Sequence, residues 1–469
     1  MQLVWFRNDI RIDDNPALYY ACQHAINNSE AVHAVFIDCP EQWCLHNESP
    51  RKLGVLQSAL RALQKTLANL GITFERLKVP LFDDIPKALL HYCQNNGINN
   101  LHFNGEIPLN ERRRDEAVIE TLVSEGVSVQ QYADDRIIHT PLLNKQGAVY
   151  RVFTPWYNNW LSVLRDELPQ VLPGPQAIAK TVNIPEPVCI SRAETFRDDL
   201  WQGEEKKAHE QLLRFCQQKA KHYHEKRDYP SIAGTSALSP YLAVGLLSAR
   251  RCLHVLFSVC AKQGLNYEEC LHHSWVRELA WRDFYRCLML NFDHLSRGED
   301  FKREPLTRKW LSNQKARQAW EMGRTGFPII DAAMQQLAQT GWVHNRLRML
   351  LASFYCKLLC LDWREGERFF MAHLVDGDFA SNNGGWQWSA STGCDASPWF
   401  RIFNPITQSR KFDDSGEYIK RFLPELADLD NASIHWPSHE QRLMRNYPAP
   451  IVDYKAARQR ALTFFDVEG

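Results

Sequence analysis

Asp376-Gly377-Asp378-Phe379-Ala380-Ser381-Asn382-Asn383-Gly384-Gly385-Trp386-Gln387-Trp388 holds the densest chemistry in the chain. Carboxylates, adjacent amides, a glycine pair and two indoles share one short segment. Adjacent glycines weaken a helix, so their use points to close approach by another segment or a flat ligand. In a helix each residue advances about 100°, which sets Trp386 and Trp388 about 200° apart and gives them different neighbours. Read alone, Asp378 and Asn382 serve equally well as turn caps and the indoles as core.

Outward from this segment, the two ends of the chain differ in pattern. Residues 2–6, 31–38, 72–79, 98–104 and 127–132 read as strands. Helical patterns alternate with them: one opened by Asn15-Pro16, one from Ser49-Pro50 to Gly71, and others near 84–95 and 110–125. That alternation predicts an α/β N-terminal domain with a parallel five-stranded sheet over residues 1–133. No G-x-G-x-x-G follows the first strand, so the dinucleotide fingerprint is missing there. Residues 134–203 read as a long connector, broken by Pro141, Pro155, Pro169, Pro173, Pro175, Pro185 and Pro187, with one helix near 156–168. From 204 to 469 strand patterns vanish, which predicts an all-α domain.

Bulk properties narrow the classes. At 469 residues, two or three domains are expected. Fifty-five basic and 55 acidic residues give zero formal charge, so any nucleic-acid footprint must be a local patch. Thirteen cysteines form no C-x-x-C pair or zinc-spaced cluster and read as reduced, buried thiols. The opening residues lack the apolar region of a signal peptide, and the longest apolar run, 349–361, is short and interrupted by Lys357. A cytoplasmic protein without a membrane span is expected. Nine of the 15 tryptophans (275, 281, 310, 320, 342, 363, 386, 388 and 399) fall in one helical region, which favours flat-ligand stacking or a redox relay over core filling alone.

Three further clusters carry candidate chemistry. Tyr223, Arg227 and the stretch Gly234-Thr235-Ser236-Ala237-Leu238-Ser239-Pro240 offer hydroxyl and backbone donors to a phosphate, although N-capping accounts for Ser239-Pro240 equally well. On a helix from Trp275, Glu278 and Trp281 share a face, and Glu278 and Arg282 have ion-pair spacing. Around Gly341-Trp342-Val343-His344, Asn345 and Met349 share another face, while Arg346 points elsewhere and Arg348 suits an acidic partner.

Asp376-Gly377-Asp378, Asn382 to Trp388 and Ser391-Thr392-Gly393 resemble the flavin-binding core of the DNA photolyase and cryptochrome family. The resemblance extends from Leu3-Val4-Trp5-Phe6-Arg7 to Tyr447-Pro448-Ala449-Pro450-Ile451-Val452 and covers essentially the whole chain. It implies that 204–469 binds reduced FAD and DNA, with FAD contacts at Tyr223, Thr235, Ser236, Leu238, Ser239, Trp275, Arg282, Asn345, Arg348, Asp376, Asp378 and Asn382. Ala237 stands where some members carry an arginine. Glu278, Trp281, Asn345, Met349, Trp388 and Asn382 take the catalytic positions, and Trp310, Trp363 and Trp386 match the electron-transfer chain. Arg227, Trp281, Arg346, Trp388 and Arg401 are the implied DNA contacts.

The implied reaction is light-driven repair of cyclobutane pyrimidine dimers in UV-damaged DNA, by an electron lent from excited reduced FAD and returned after ring splitting. Asn345 and Met349 occupy the positions of two histidines found in members acting on (6-4) lesions, which favours cyclobutane dimers. A methenyltetrahydrofolate antenna is implied at His46, Asn110, Glu111 and Arg297, with Ser296-Arg297 replacing a Cys-Lys pair. A monomer is expected. The alternative is a cryptochrome photoreceptor, against which stand Asn382 and a chain that ends at Gly469 without a long tail. A flavoprotein that merely binds single-stranded DNA is a more distant alternative.

Overall fold

Strand β1 (Gln2–Phe6) is buried along its whole length, as its apolar run Leu3–Phe6 requires of a central parallel strand. In the computed structural model, which describes residues 1–178, 196–302 and 309–466, four more strands join it: β2 (Val32–Asp38), β3 (Thr73–Lys78), β4 (Asn100–Asn104) and β5 (Ser128–Tyr132). All pair in parallel, in the order β3-β2-β1-β4-β5. The five expected strands are all present, β1 with the expected bounds and the other four shortened by one or two residues. Pro185 and Pro187 lie outside the described residues.

The connecting helices begin where the caps direct. Asn15 Oδ1 accepts from Leu18 N at 3.1 Å ahead of Pro16–Asn28, and Ser49 caps Pro50–Asn69 through Arg51 N at 3.2 Å. Pro40–Leu45 is an additional short helix with no buried residue, so it carries no apolar periodicity to announce it. The helix expected near 156–168 spans Phe153–Asp166 and buries Trp156, Trp160 and Leu164. Beyond Glu205 the described residues form helices and turns.

Chain order and compactness do not coincide. One compact unit comprises Met1–Lys221, Ser236–Ser296 and Asp376–Ala380. The second comprises His222–Thr235, Arg297–Val375 and Ser381–Gly469. The first encloses the sheet core around Leu3, Trp5, Val35, Leu101 and Phe103. The second is built on a helical core around Trp320, Tyr355, Trp363, Trp386 and Tyr418. No helix among the described residues is long and apolar enough to cross a membrane.

Long-range charge pairing organises the first unit. Arg11 Nη2 donates to Asp134 Oδ2 at 2.6 Å, and Arg250 Nη2 takes the other oxygen at 2.6 Å. Arg250 Nε also reaches Asp14 Oδ2 at 3.1 Å, while Arg11 Nη2 donates to the Asp14 carbonyl at 2.7 Å. The four side chains are at most 7% exposed. Breaking a buried pair strands its partner, so Asp134→Ala, which takes a carboxylate from two buried guanidiniums at once, is expected to cost about 3–5 kcal/mol. A urea midpoint within error of wild type would show that the network does not carry this weight.

Candidate functional site

In the second unit, the part of helix Phe379–Ala390 from Ser381 onward buries Trp386 and leaves Trp388 half-buried, the divergence expected of residues two apart on a helix. Asn382 Nδ2 donates to the Glu367 carbonyl at 3.0 Å, so the amide is oriented with Oδ1 left to accept. Beside it Asn383 Nδ2 donates to Glu367 Oε1 at 2.9 Å, and Gln387 Nε2 to Asn383 Oδ1 at 2.9 Å. Burial pushes the Glu367 carboxyl up to about 7. Glu367 itself carried no signal in the sequence, because only the fold brings it under the Asn382-Asn383 pair.

Helix Trp363–His373 supplies both Glu367 and the surface on which Trp386 rests. A Cβ on Gly366 would lie 2.1 Å from Trp386 Cη2, so only glycine admits the indole there. Trp386 meets Phe370 edge-on at 5.1 Å, Tyr355 at 5.8 Å and Trp320 at 6.1 Å. Trp363 is fully buried and donates Nε1 to Asp300 Oδ1 at 2.8 Å. Trp310 is half-buried against Phe464 and Phe465. The three indoles of the expected relay therefore belong to one core, along with Trp320, which had no assigned role. At Gly385, by contrast, a Cβ would meet nothing within 4 Å.

Helix Asn345–Ser353 is capped by His344, whose Nδ1 accepts from Arg346 N at 3.2 Å. Burial pulls the His344 pKa down to about 4, which keeps the ring neutral for that role. Asn345 is exposed and Met349 half-buried, one turn apart. Arg346 is held by Asp228 at 2.8 Å and lies 4.6 Å from the Phe412 ring centre. Arg348 Nε donates to the Val343 carbonyl at 2.8 Å. Arg227 lies over the Tyr223 ring, Thr235 is half-buried, and Arg401 is exposed. Arg297 also belongs to this unit.

In the first unit, helix Ser274–Asn291 carries Trp275, Glu278, Trp281 and Arg282. Trp275 is buried against Phe215, and Trp281 stacks on Phe153 with centroids 3.5 Å apart and planes 5° apart. Arg286 grips Asp378 through both nitrogens, at 3.0 and 2.5 Å. Arg282 donates to the Asp135 carbonyl at 2.9 Å, and burial followed by the charge of Arg286 pulls it down to about 10. Asp376 is buried in the same unit. Ser239 opens a short helix with Leu238 in the cap position, so its hydroxyl is not the cap. Gln211 Nε2 fixes the preceding turn by donating to the carbonyls of Ser236 and Ala237 at 2.9 and 3.0 Å, with Ala237 left-handed at φ 51°.

A crevice opens at the carboxyl ends of β1 and β4, where the strand order reverses direction. Its walls include Arg7, Asn8, Lys52, Asn104, Glu106 and Glu111. Doubly wound sheets place ligands at this switch point, a signal available only once strand order is known. Burial alone would raise Glu106, but the charges of Arg114 and Arg7 outweigh it and hold the carboxyl at about 2. Beside it, His46 Nε2 lies 3.0 Å from the Gln42 amide nitrogen and 3.1 Å from that of Asn110. Both neighbours are donors, so Nε2 accepts and the ring proton sits on Nδ1, 3.5 Å from Glu111 Oε1.

Burial, then the charge of Glu106, pushes Glu111 up to about 7 from an ordinary 4.5. The native state thus holds this proton more tightly than the unfolded chain, and the carboxyl costs stability as pH rises from about 4.5 through about 7. Glu111→Gln is expected to match wild type at pH 4 and to exceed it by on the order of 3 kcal/mol at pH 8. Urea midpoints across that range check the sign; parallel curves would mean that Glu111 ionises normally.

Residues 2–175 match the family described as DNA photolyase, and residues 275–466 match the FAD binding domain of DNA photolyase. The chain is 42% identical over 474 residues to the deoxyribodipyrimidine photo-lyase of Escherichia coli K12, covering 99% of this chain and 98% of that one. A bacterial class III photolyase from Agrobacterium tumefaciens superposes with a TM-score of 0.88 at 31% identity, over 99% of this chain and 96% of that one. A cryptochrome from Synechocystis superposes with a TM-score of 0.84 at 26% identity, over 99% of both. With its sheet, its helical core and its flavin-type segment matched along nearly the whole length, the chain belongs to the DNA photolyase family.

Proposed function

We propose that this protein repairs cyclobutane pyrimidine dimers in UV-damaged DNA under blue light, using reduced FAD. The observation that carries the reading is the anchored Asn382: one of its two amide N–H groups is held by the Glu367 carbonyl, which orients the side chain with Oδ1 left to accept, as suits a flavin nitrogen that bears a proton. When bound, FAD supplies a light-driven electron donor that no ground-state side chain can provide.

The chain's own residues do the rest. Arg282, Arg348, Trp275, Tyr223, Thr235, Ser236, Leu238, Ser239, Asp376 and Asp378 hold the cofactor. Glu278 bonds the pyrimidine edge of the extruded lesion, with Asn345 and Met349 beside it. Trp281 and Trp388 offer indole faces for bases, which stack on any π-surface. Phosphate is met by Arg227, Arg346 and Arg401. Trp310, Trp363 and Trp386 carry electrons inward. His46, Asn110, Glu111 and Arg297 are proposed for a methenyltetrahydrofolate antenna on residues 1–133, with 134–203 as connector, 204–469 as the catalytic part, and a cytoplasmic monomer as the working form.

A cryptochrome-type photoreceptor is the competing reading, since the same fold serves both. The test mixes photoreduced protein with UV-irradiated oligothymidine and follows dimer loss in blue light against a dark control. Light-dependent loss is expected; none, with reduced FAD bound, overturns repair in favour of the photoreceptor. Glu278→Ala is expected to lower the repair yield about tenfold or more with FAD content retained, the scale of one lost hydrogen bond at a reacting group. An unchanged yield would remove Glu278 from the mechanism.

A further inference from the structure

Lys357, the residue that interrupts the apolar run 349–361, is fully buried. It sits in the π-helical turn Phe354–Leu358, marked by Leu359 N donating five residues back to Phe354 O at 3.1 Å. Such inserted turns are frequent at functional positions. The ammonium donates to Ser391 Oγ at 2.6 Å and to the Trp399 carbonyl at 2.9 Å, and it lies 4.2 Å from the Phe465 ring centre. An ammonium cannot accept, so the Ser391 hydroxyl must direct its own proton elsewhere, and it donates to the Ser397 carbonyl at 2.8 Å. Ser397 N in turn donates to the Trp388 carbonyl at 3.1 Å.

These bonds grip the 391–401 segment at both ends. Ser391, left-handed at φ 62°, ends helix Phe379–Ala390, and Arg401 N closes the far end onto the Pro398 carbonyl at 2.9 Å. Between the grips the surface is unusual: Trp399 is 37% and Phe400 59% exposed, with Arg401 exposed beside them. Burying an ammonium carries a desolvation cost that a hydrocarbon filling the same space would avoid. The cost is offset by what only a cation with several donors can do here, which is to hold a hydroxyl and a carbonyl from opposite ends of one loop.

We propose that Lys357 is a positioning residue for DNA binding, its core-held ammonium fixing the 391–401 loop that presents Arg401. This deepens the repair reading and rests on it. The lysine shapes the rim and touches no reacting atom, so its loss should weaken capture of the damaged strand and leave turnover of bound substrate intact.

The test compares full-length wild type, Lys357→Met and Ser391→Ala, all loaded with FAD. Peptide-resolved hydrogen exchange on the DNA-free proteins reads the loop, and titration with UV-irradiated oligothymidine reads binding. Lys357→Met is expected to speed exchange in 391–401 with the rest of the map unchanged. Its Kd for the irradiated strand should rise about tenfold, while repair at saturating DNA and the flavin spectrum stay as in wild type. Ser391→Ala, which keeps the ammonium, should show the same change in smaller measure and carries the test if Lys357→Met does not fold. Unchanged loop exchange in the variants, or faster exchange with unchanged Kd, overturns the proposal. Failure of wild type itself to repair dimers or to prefer irradiated DNA would sink the repair reading, while the exchange comparison still decides whether Lys357 holds the loop.

Discussion

Two guanidiniums and two carboxylates, buried together, are the constraint on which the first unit depends. Arg11 and Asp14 follow β1, Asp134 follows β5, and Arg250 opens the helix Ala249–Lys262, so residues more than a hundred positions apart meet at one point. None of these charges could be buried alone, because each would bear a desolvation cost of several kcal/mol. Each is tolerable only if the others arrive. A distant helix is thereby obliged to close over the ends of the strands, and the crevice at the reversal of strand order becomes a walled site instead of an open edge. Gly245 sharpens the demand: at φ 73°, with a Cβ position 2.0 Å from Asn8 O, it brings the turn ahead of helix Ala249–Lys262 against the loop after β1 as only glycine permits.

The second unit reaches its order by shape more than by charge. Trp386 lies flush against the backbone of a neighbouring helix because Gly366 has no side chain, and the aromatic rings around it fill the remaining space edge-on. The same helix offers the Glu367 carbonyl to Asn382 and the Glu367 carboxyl to Asn383. One contact between two helices therefore sets both the buried indole and the orientation of a half-buried amide four residues before it. Packing at the core and chemistry at the surface are one constraint here, which is why so many polar residues are tolerated in helix Phe379–Ala390.

What could be read in advance follows the range of the forces involved. Strands and caps are local: the apolar run at Gln2–Phe6, Asn15-Pro16 and Ser49-Pro50 each declare themselves within a few residues. The candidate residues Asn382, Trp386 and Trp388 stood out because amides, glycines and indoles are crowded together there. Glu367 and the crevice around Asn8 and Glu106 left no local trace, and Lys357 showed only as a charge interrupting an apolar run. A buried glutamate in an amphipathic helix, a lysine in an apolar run and an acid beside a strand end look ordinary until the fold brings their partners to them. The unit boundaries were equally hidden, because the chain leaves the first unit and returns to it twice.

The neutral balance of the chain bears on how it would hold DNA. With equal numbers of acids and bases there is no global field to draw in a polyanion, so attraction falls to individual cations at the rim. Those cations are not equivalent. Arg346 is already bonded to Asp228 and lies against Phe412, and a phosphate would have to share or displace that carboxylate. Arg401 is exposed on a loop whose shape is fixed from below by a buried ammonium. A pre-formed rim compensates for a weak field, because a loop already ordered loses less entropy on binding than one that must be ordered by the ligand. On the proposed reading, specificity for a lesion rests on the stacking and hydrogen-bonding groups, and the few phosphate contacts serve to set the register.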